Sequence, residues 1–542
     1  MNKAIFWGLM SAALAAGLAL RFGRLDLRPM HHDEANQAVK FGMLLESGEY
    51  RYDRNDHHGP TLYYLTLPVA RIRGQATLAD LDEWTLRAVP AAMGVGLILM
   101  FGLFAAGLGR GAAAAAAWLA ALSPAMAYYS RFYIQESLFV LLAMGLVLSL
   151  GQAALRPGAG WSLAAGVFAG LAFATKETSV IVFVSAGAAL ILALLVERRI
   201  PLRGHGREMG AGSTDPPAGR RFRGTAGVLI GLAAAVLVAG VFYSSFFRNP
   251  GGILESVRAF RGYAARGMEA GLHAHPWSFY LGILAFQAEG GLIWSEGLVL
   301  LLALAGAVFA ALGRQLLDGP GGQAAPAREG GTAESFWARY VLLYALFTTV
   351  IFCVLRYKTP WNLLPFYAGV LLLAGTGAAA LMRSLRSRRA RGLLLAALIA
   401  GLCHLGIQNW RANYRYPADP RNPYVYAQTS PDFLRLSDRL HELAAVHPDG
   451  KNMLVKVIAG SYEQWPLPWY LRDFRRVGYW TGPDEAGGFA GVPVVVASQE
   501  NAQKLEPALR DGFQAEFYGL RPGVLLMVFI DRTLWERFLK SR

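Results

Sequence analysis

The chain reads as a mainly α-helical polytopic membrane protein with about 11 transmembrane helices and a small α/β domain after them. Three observations lead there. Apolar runs of roughly 18 residues or more, the length that crosses hydrocarbon, recur as far as about residue 409. Only 16% of the 542 residues are charged, against about 25% in an ordinary soluble domain. From about Trp410 the long runs give way to short alternating strand and helix patterns.

The expected spans are 4–20, 86–108, 112–129, 133–154, 160–176, 178–197, 225–247, 291–313, 336–356, 361–382 and 392–409. The first begins after Lys3 like a signal peptide, but Arg21 and Arg24 follow without a small-residue cleavage site, so it reads as a retained span. The net charge of +15 does not indicate nucleic acid. Its arginines gather in short loops, Arg198, Arg199, Arg203, Arg207, Arg220, Arg221 and Arg223 in one, Arg383, Arg386, Arg388, Arg389 and Arg391 in another. That is the positive-inside pattern. It places the amino terminus and both loops in the cytoplasm of a multi-pass protein of the cell inner (plasma) membrane. An odd number of spans then puts residues 410–542 outside, as an extracytoplasmic domain beside a membrane domain of residues 1–409. The segments 21–85, 130–132, 248–277 and 356–360, and the span ends around Lys176, share that outer face.

The segment 21–85 is too long for a turn. Asp33 to Glu46 predicts an amphipathic helix with Ala35, Ala38, Val39, Gly42 and Leu45 on one side. Thr61 to Arg73 predicts another, opening after Gly59-Pro60 and carrying tyrosines suited to an interface. Pro276 to Gln287 is too short to span, and residues 314–335, rich in Gly, Ala and Pro, read as a flexible internal loop. In the last part, Leu434–Val446, Trp469–Arg475 and Ala502–Gly512 read as helices. Asn452–Ile458, Val492–Ala497, Glu516–Tyr518 and Gly523–Ile530 read as strands before a final helix. No G-x-G-x-x-G or P-loop marks a nucleotide site. Cys353 and Cys403 both lie in apolar spans and form no disulfide or metal framework.

Five polar groups carry candidate chemistry. Met30-His31-His32-Asp33-Glu34-Ala35 places two carboxylates where the chain first leaves the bilayer, and ionisable groups beside hydrocarbon are costly enough to be functional by default. Neighbours on a helix point about 100° apart, so one acid can face a cavity while the other braces the helix; a plain N-cap at Asp33 is the structural alternative. Asp56-His57-His58-Gly59-Pro60-Thr61-Leu62-Tyr63 sets imidazoles at a helix start, where a phosphate could be met together with free N–H groups; a solvated turn is the alternative. Arg131 stands at an outer mouth with Glu136 further on, either a second acid that shapes the acceptor side or half of a structural Arg–Glu pair. Lys176-Glu177 and Arg356-Tyr357-Lys358-Thr359-Pro360 offer cations for a lipid phosphate or for headgroups. The paired histidines raise a metal site, but their spacing matches no metal motif.

Taken in order, the Asp-Glu pair, Pro60-x-Leu62-Tyr63-Tyr64, Ser130-Arg131-x-x-x-x-Glu136, Thr175-Lys176-Glu177 and Lys358-x-Pro360-x-x-x-x-Pro365 resemble GT-C membrane glycosyltransferases. The nearest branch is that of protein O-mannosyltransferases and lipid A aminoarabinose transferases. His31-His32-Asp33-Glu34-Ala35 and His57-His58-Gly59-Pro60-Thr61-Leu62-Tyr63-Tyr64-Leu65 are similar to a prokaryotic subfamily labelled flippase-activity-associated. The resemblance covers about residues 1–409. It implies sugar transfer from a polyprenyl-phosphate donor to a protein, lipid or polysaccharide acceptor on the outer face, with inversion and no cofactor. Related oligosaccharyltransferases use a divalent metal, and the extra histidines keep that open. By position, Asp33 matches the catalytic Asp, Glu136 a second acid and Lys358 a phosphate-side cation. Catalytic candidates are therefore Asp33, Glu34 and Glu136. Substrate-binding candidates are His57, His58, Tyr63, Arg131, Lys176, Glu177, Arg356 and Lys358. The partners are membrane lipids, the lipid-linked donor and its acceptor, with no nucleic acid. A transporter or flippase of lipid-linked sugars without chemistry is the rival reading, and it predicts charges deep in span centres and broken helices.

Overall fold

The computed structural model describes residues 1–54, 58–199, 218–268, 273–312 and 331–542. Each expected apolar run is largely helix, except that the run 291–313 opens in a strand, Leu292–Trp294, before its helix begins at Gly297. Among the described residues eight helices are long and apolar enough to cross a membrane: Lys3–Phe22, Glu83–Leu108, Glu136–Leu155, Ser179–Glu197, Thr225–Tyr243, Ala333–Val354, Pro360–Ser384 and Arg388–Arg415. Arg110–Leu122, Ala159–Phe173 and Gly297–Leu312 are apolar but shorter. The chain is thus a membrane protein, predominantly helical, with a small sheet near its carboxyl end. The arginine-rich stretch 198–223 and the expected loop 314–335 lie largely outside the described residues.

Chain contacts divide the protein into two compact units, and neither is continuous in sequence. The first holds residues 1–23, 49–65 and 87–415; the second holds 24–48, 66–86 and 416–542. The segment 21–85, assigned from sequence to the membrane domain, is therefore shared between the two.

In the first unit, bare backbone lets helices pack closely. A Cβ on Gly306 would lie 2.0 Å from the Leu373 carbonyl oxygen, and one on Gly377 would lie 1.9 Å from that of Leu302. The short helix Gly297–Leu312 and the helix Leu364–Ser384 thus touch through small residues, as packing in lipid favours. Two buried arginines tie other helices end to end. Arg21 donates to the carbonyls of Ala120 and Ala121, near the end of Arg110–Leu122. Arg131 donates to the carbonyls of Arg21 and Gly23 and lies over the Tyr414 ring. Cations at helix carboxyl ends meet unsatisfied carbonyls and the negative end of the dipole.

The second unit is built on a five-stranded sheet: β3 (Val455–Ile458), β4 (Val477–Trp480), β5 (Val494–Ser498), β6 (Phe513–Arg521) and β7 (Val524–Asp531), in the order β4-β3-β5-β7-β6. A separate hairpin, β1 (Gln287–Glu289) with β2 (Leu292–Trp294), belongs to the first unit. β3 runs parallel to β4 and β5, whereas β7 is antiparallel to β5 and β6. Val455, Val457, Val494, Val496, Val528 and Ile530 face Leu436, Leu440 and Leu443 of the helix Asp432–Val446. On the other face Val495, Ala497 and Phe529 pack on Ala502, Leu505 and Leu509. β3 and β5 are buried throughout, which accounts for the unbroken apolar run of Val492 to Ala497.

The first-loop helix spans His32–Ser47 and packs on the short helix Leu467–Tyr470. Its buried stripe is Glu34, Ala35, Gln37, Ala38, Lys40, Phe41, Gly42 and Leu44. Val39 and Leu45, expected on that face, are only partly buried. The aromatic patch at 465–470 supplies core. Trp469 is buried and donates through Nε1 to Glu83, and the Tyr470 hydroxyl accepts the Met30 N–H.

Candidate functional site

The carboxylate pair sits in the second unit, and its two members are held differently. His31 is the N-cap. Its Nδ1 accepts the Asp33 N–H at 3.0 Å, while the Glu34 carboxylate reaches back to the His31 N–H at 3.0 Å, completing a capping box. Because Nδ1 accepts an amide proton it carries none, so Nε2–H donates to the Tyr426 carbonyl 3.0 Å away. Glu34 is fully buried, with Arg28 3.8 Å from its carboxylate. The side chain of Asp33 is 41% exposed; among the described residues the His31 ring lies 4.0 Å from its carboxylate and no hydrogen bond reaches it. The alternative reading of Asp33 as a plain N-cap does not hold, because the cap is His31. Burial, and then the Asp33 carboxylate, raise the Tyr426 phenol above its ordinary range. His32, partly buried against the Tyr462 and Trp465 rings, has its imidazolium disfavoured first by burial and then by His31 and Arg521, against an opposing pull from Asp33.

The other candidates lie in the first unit, and several converge there. Gly59 runs against the chain at Ala174, where a Cβ would stand 2.1 Å from the carbonyl oxygen. The contact is fixed by Thr61 N–H to Ala174 O (3.3 Å) and by Thr61 Oγ1 with Thr175 Oγ1 (2.6 Å). This close approach sets His58 beside Glu177, with Nδ1 and Oε2 2.8 Å apart. Tyr52 donates to the other oxygen of Glu177 at 3.4 Å, and Tyr50 donates to the His58 carbonyl at 2.8 Å. Burial, and then Glu177, push the Tyr52 phenol well above its usual range, so it stays a donor. The His58 side chain is 30% exposed, whereas that of Glu177 is 2% exposed.

One residue before Glu177, Lys176 pairs with Glu136 and donates to Asn362 Oδ1 at 3.0 Å. Both charges are buried. The partner of Glu136 is therefore Lys176 and not Arg131, which is spent on helix carbonyls. Oε2 of Glu136 is buried with no hydrogen-bond partner among the described residues, an unusual state for a carboxylate oxygen. Asn362 lies inside the Lys358-x-Pro360-x-x-x-x-Pro365 turn but carries no sequence signal of its own. Tyr52 and the buried Glu296, which accepts from Ala125 N–H and the Tyr367 hydroxyl, are likewise not among the sequence candidates. A lone acid at the head of an apolar run was the available signal for Glu296.

Lys358 is 1% exposed, and its ammonium donates to the carbonyls of His275 and Leu355. Arg356, two residues before, is exposed. Tyr63 is fully buried against the Tyr50 ring. His57 and its neighbour Asp56 lie outside the described residues. Among the described residues no group of three or more His, Cys, Asp or Glu is placed to hold a metal ion.

The first unit is thus a helical membrane bundle with a buried ion pair at helix ends, and the second is built on a small mixed sheet. Comparison with known proteins bears out the GT-C resemblance for the fold. The family model of dolichyl-phosphate-mannose-protein mannosyltransferases matches residues 58–204. ArnT from Cupriavidus metallidurans bound to undecaprenyl phosphate superposes with a TM-score of 0.59 at 16% identity, over 97% of this chain and 99% of that one. The Archaeoglobus fulgidus oligosaccharyltransferase in its apo form gives 0.57 at 12% identity, over 99% of this chain and 77% of that one. The oligosaccharyltransferase AglB of the same organism, in complex with an inhibitory peptide and a dolichol-phosphate, gives 0.54 at 13% identity over the same shares. No curated protein matches the chain. The likeness reaches the GT-C group and does not single out the flippase-associated subfamily.

Proposed function

We propose that the protein is a membrane glycosyltransferase that moves a sugar from a polyprenyl-phosphate donor to an acceptor hydroxyl on the extracytoplasmic face, with inversion. Asp33 takes the acceptor's proton as its oxygen attacks the anomeric carbon. The bond from that carbon to the phosphate oxygen breaks, and the polyprenyl phosphate leaves with the bonding pair. The observation that carries the reading is the unequal treatment of neighbouring acids: Glu34 is locked into the cap, while Asp33 keeps its carboxylate unbonded. A structural Asp would have been used by the helix it begins.

The phosphate needs fixed positive charge where the leaving group gains its own. His58, aimed by Glu177, and the exposed Arg356 are the groups that would meet it directly. Lys358, held by backbone carbonyls, adds to the local positive field, and Lys176 braces the buried Glu136, whose second oxygen has no hydrogen-bond partner among the described residues. Asn362 holds the lysine in place. The lipid-phosphate donor is supported by the undecaprenyl phosphate in the similar ArnT structure. A transport reading predicts charge at span centres, whereas Glu136 is the first residue of its helix and Lys176 lies between two helices. The test is an Asp33→Asn variant in purified transfer with polyprenyl-phosphate sugars. A loss of roughly 10²–10⁴-fold, the usual worth of a general base, is expected, and transfer at the wild-type rate refutes the assignment.

A further inference from the structure

The second unit carries a cleft that none of this chemistry uses. It lies at the carboxyl ends of the three parallel strands β4, β3 and β5, and encloses about 260 Å³. In open sheets with parallel strands, this edge is where ligands bind. Glu463, Asp484, Glu485, Glu500, Lys504 and Ser498 are among the residues that line it. Asn501 forms the floor, its amide donating to the carbonyls of Ile458 (3.2 Å) and Thr481 (3.0 Å), which ties the ends of β3 and β4 to the helix Gln499–Leu509.

Ser498 is the informative residue. It occupies the N-cap of that helix and is 2% exposed, yet its hydroxyl caps nothing and has no hydrogen-bond partner among the described residues. The hydroxyl of an N-cap serine normally bonds the N2 or N3 amide; here the hydroxyl and the free amides of the first turn are left to the cleft.

We propose that this cleft binds a carbohydrate, neutral or amine-bearing, through its hydroxyls. The charge of the lining selects among ligands. Four carboxylates stand against one lysine, and that lysine is paired with Glu500, so phosphates and nucleotides are repelled. Glu463 and Asp484 take no hydrogen bond from described side chains and can accept from hydroxyls, while Ser498 and the helix amides donate in return. Tyr462, between the lining residues Gly460 and Glu463, is 76% exposed and offers a ring for the apolar face of a sugar. The volume falls just under the roughly 300–1,000 Å³ of pockets for drug-sized ligands, which fits one saccharide unit of a longer chain. The proposal does not rest on the transfer reading, because binding is measured without donor or turnover.

The experiment uses full-length protein in a detergent without sugar headgroups. It is applied to an array of mannose, glucose, galactose, N-acetylglucosamine and glucosamine oligosaccharides, with mannose 6-phosphate and spermidine as controls. The best saccharide is then titrated against wild type, Ser498→Ala and Glu463→Gln. The proposal expects saccharide binding that weakens roughly 10-fold or more in each variant, the usual worth of a hydrogen bond to a charged group, with unchanged melting temperatures. Neither substitution removes a hydrogen bond from the unliganded protein, so loss of binding reports the site and not the fold. No saccharide binding, binding equal in all three proteins, or preference for spermidine or mannose 6-phosphate would each overturn it.

Discussion

Asp33 and Glu34 share a peptide bond and have opposite fates, and substitutions should separate them. Asp33→Asn is expected to abolish transfer while leaving the melting temperature unchanged, since no described residue donates a hydrogen bond to its carboxylate. Glu34→Gln is expected to do the reverse: it weakens the reciprocal cap and leaves Arg28 without its nearest carboxylate, lowering stability by about 1–2 kcal/mol. Thermal denaturation beside a transfer assay tells them apart. The Glu136–Lys176 pair makes a second contrast. Lys176→Met strands a buried carboxylate that already has one unbonded oxygen, a loss of roughly 3–5 kcal/mol. Adding Glu136→Gln removes the stranded charge and should restore much of that stability. If the single and double variants melt together, the pair is not a coupled unit. The acid pair and both lysines were visible in the sequence, but their partners were not. Arg131 was the nearest cation to Glu136 along the chain, and a contact across 40 residues was chosen over it because the helix ends around Gly23 needed the arginine more.

The helices were legible because lipid imposes one simple demand, an apolar run of sufficient length. The strand β4 was not, because it is a sheet edge and all four of its residues are half-buried, so neither alternation nor a continuous apolar run marks it. The helix His32–Ser47 was expected from its periodicity, but its cap was not legible: Asp is a common N-cap, so Asp33 offered one reading, and only the structure shows the imidazole of His31 in that role. His32, in the first turn, gives this helix a pH response. Burial lowers its folded pKa below the ordinary 6.5, so the unfolded chain binds its proton first as pH falls. Stability is then whole above pH 6.5 and declines as the pH drops from there through the folded value. The melting temperature of the full protein should fall on acidification through that window, and His32→Gln should flatten the decline. An equally steep decline in the variant would place the titrating group elsewhere.

The second unit is assembled from three separate stretches of chain, and this was hidden from any local pattern. Its stitches join residues nearly 400 positions apart: Gln428 donates to the Pro29 carbonyl, Thr429 to that of Met30, and His31 to that of Tyr426. The segment 66–86 enters the same core, where Glu83 accepts from Trp469 and the Leu81 carbonyl accepts from Arg472. A boundary drawn where the amino-acid texture changes, near residue 410, therefore separates residues that are packed together. The consequence is testable. A fragment of residues 416–542 keeps its sheet but loses the acceptors of Gln428, Thr429, Trp469 and Arg472, and Trp469 and Leu467 lose their cover. Leaving several buried donors unbonded costs about 1–3 kcal/mol each, which is comparable to the whole stability of a small domain. The fragment alone should be aggregation-prone and quickly cleaved by protease. In the reciprocal truncation, a chain ending at residue 415, the helix His32–Ser47 loses the partners of its buried stripe, so cleavage at Arg28 and Lys40 should rise sharply over the intact protein. Protection at both sites in the shortened chain would mean that the first loop folds without the carboxyl-terminal sheet, and the capped, exposed Asp33 would then owe nothing to that sheet.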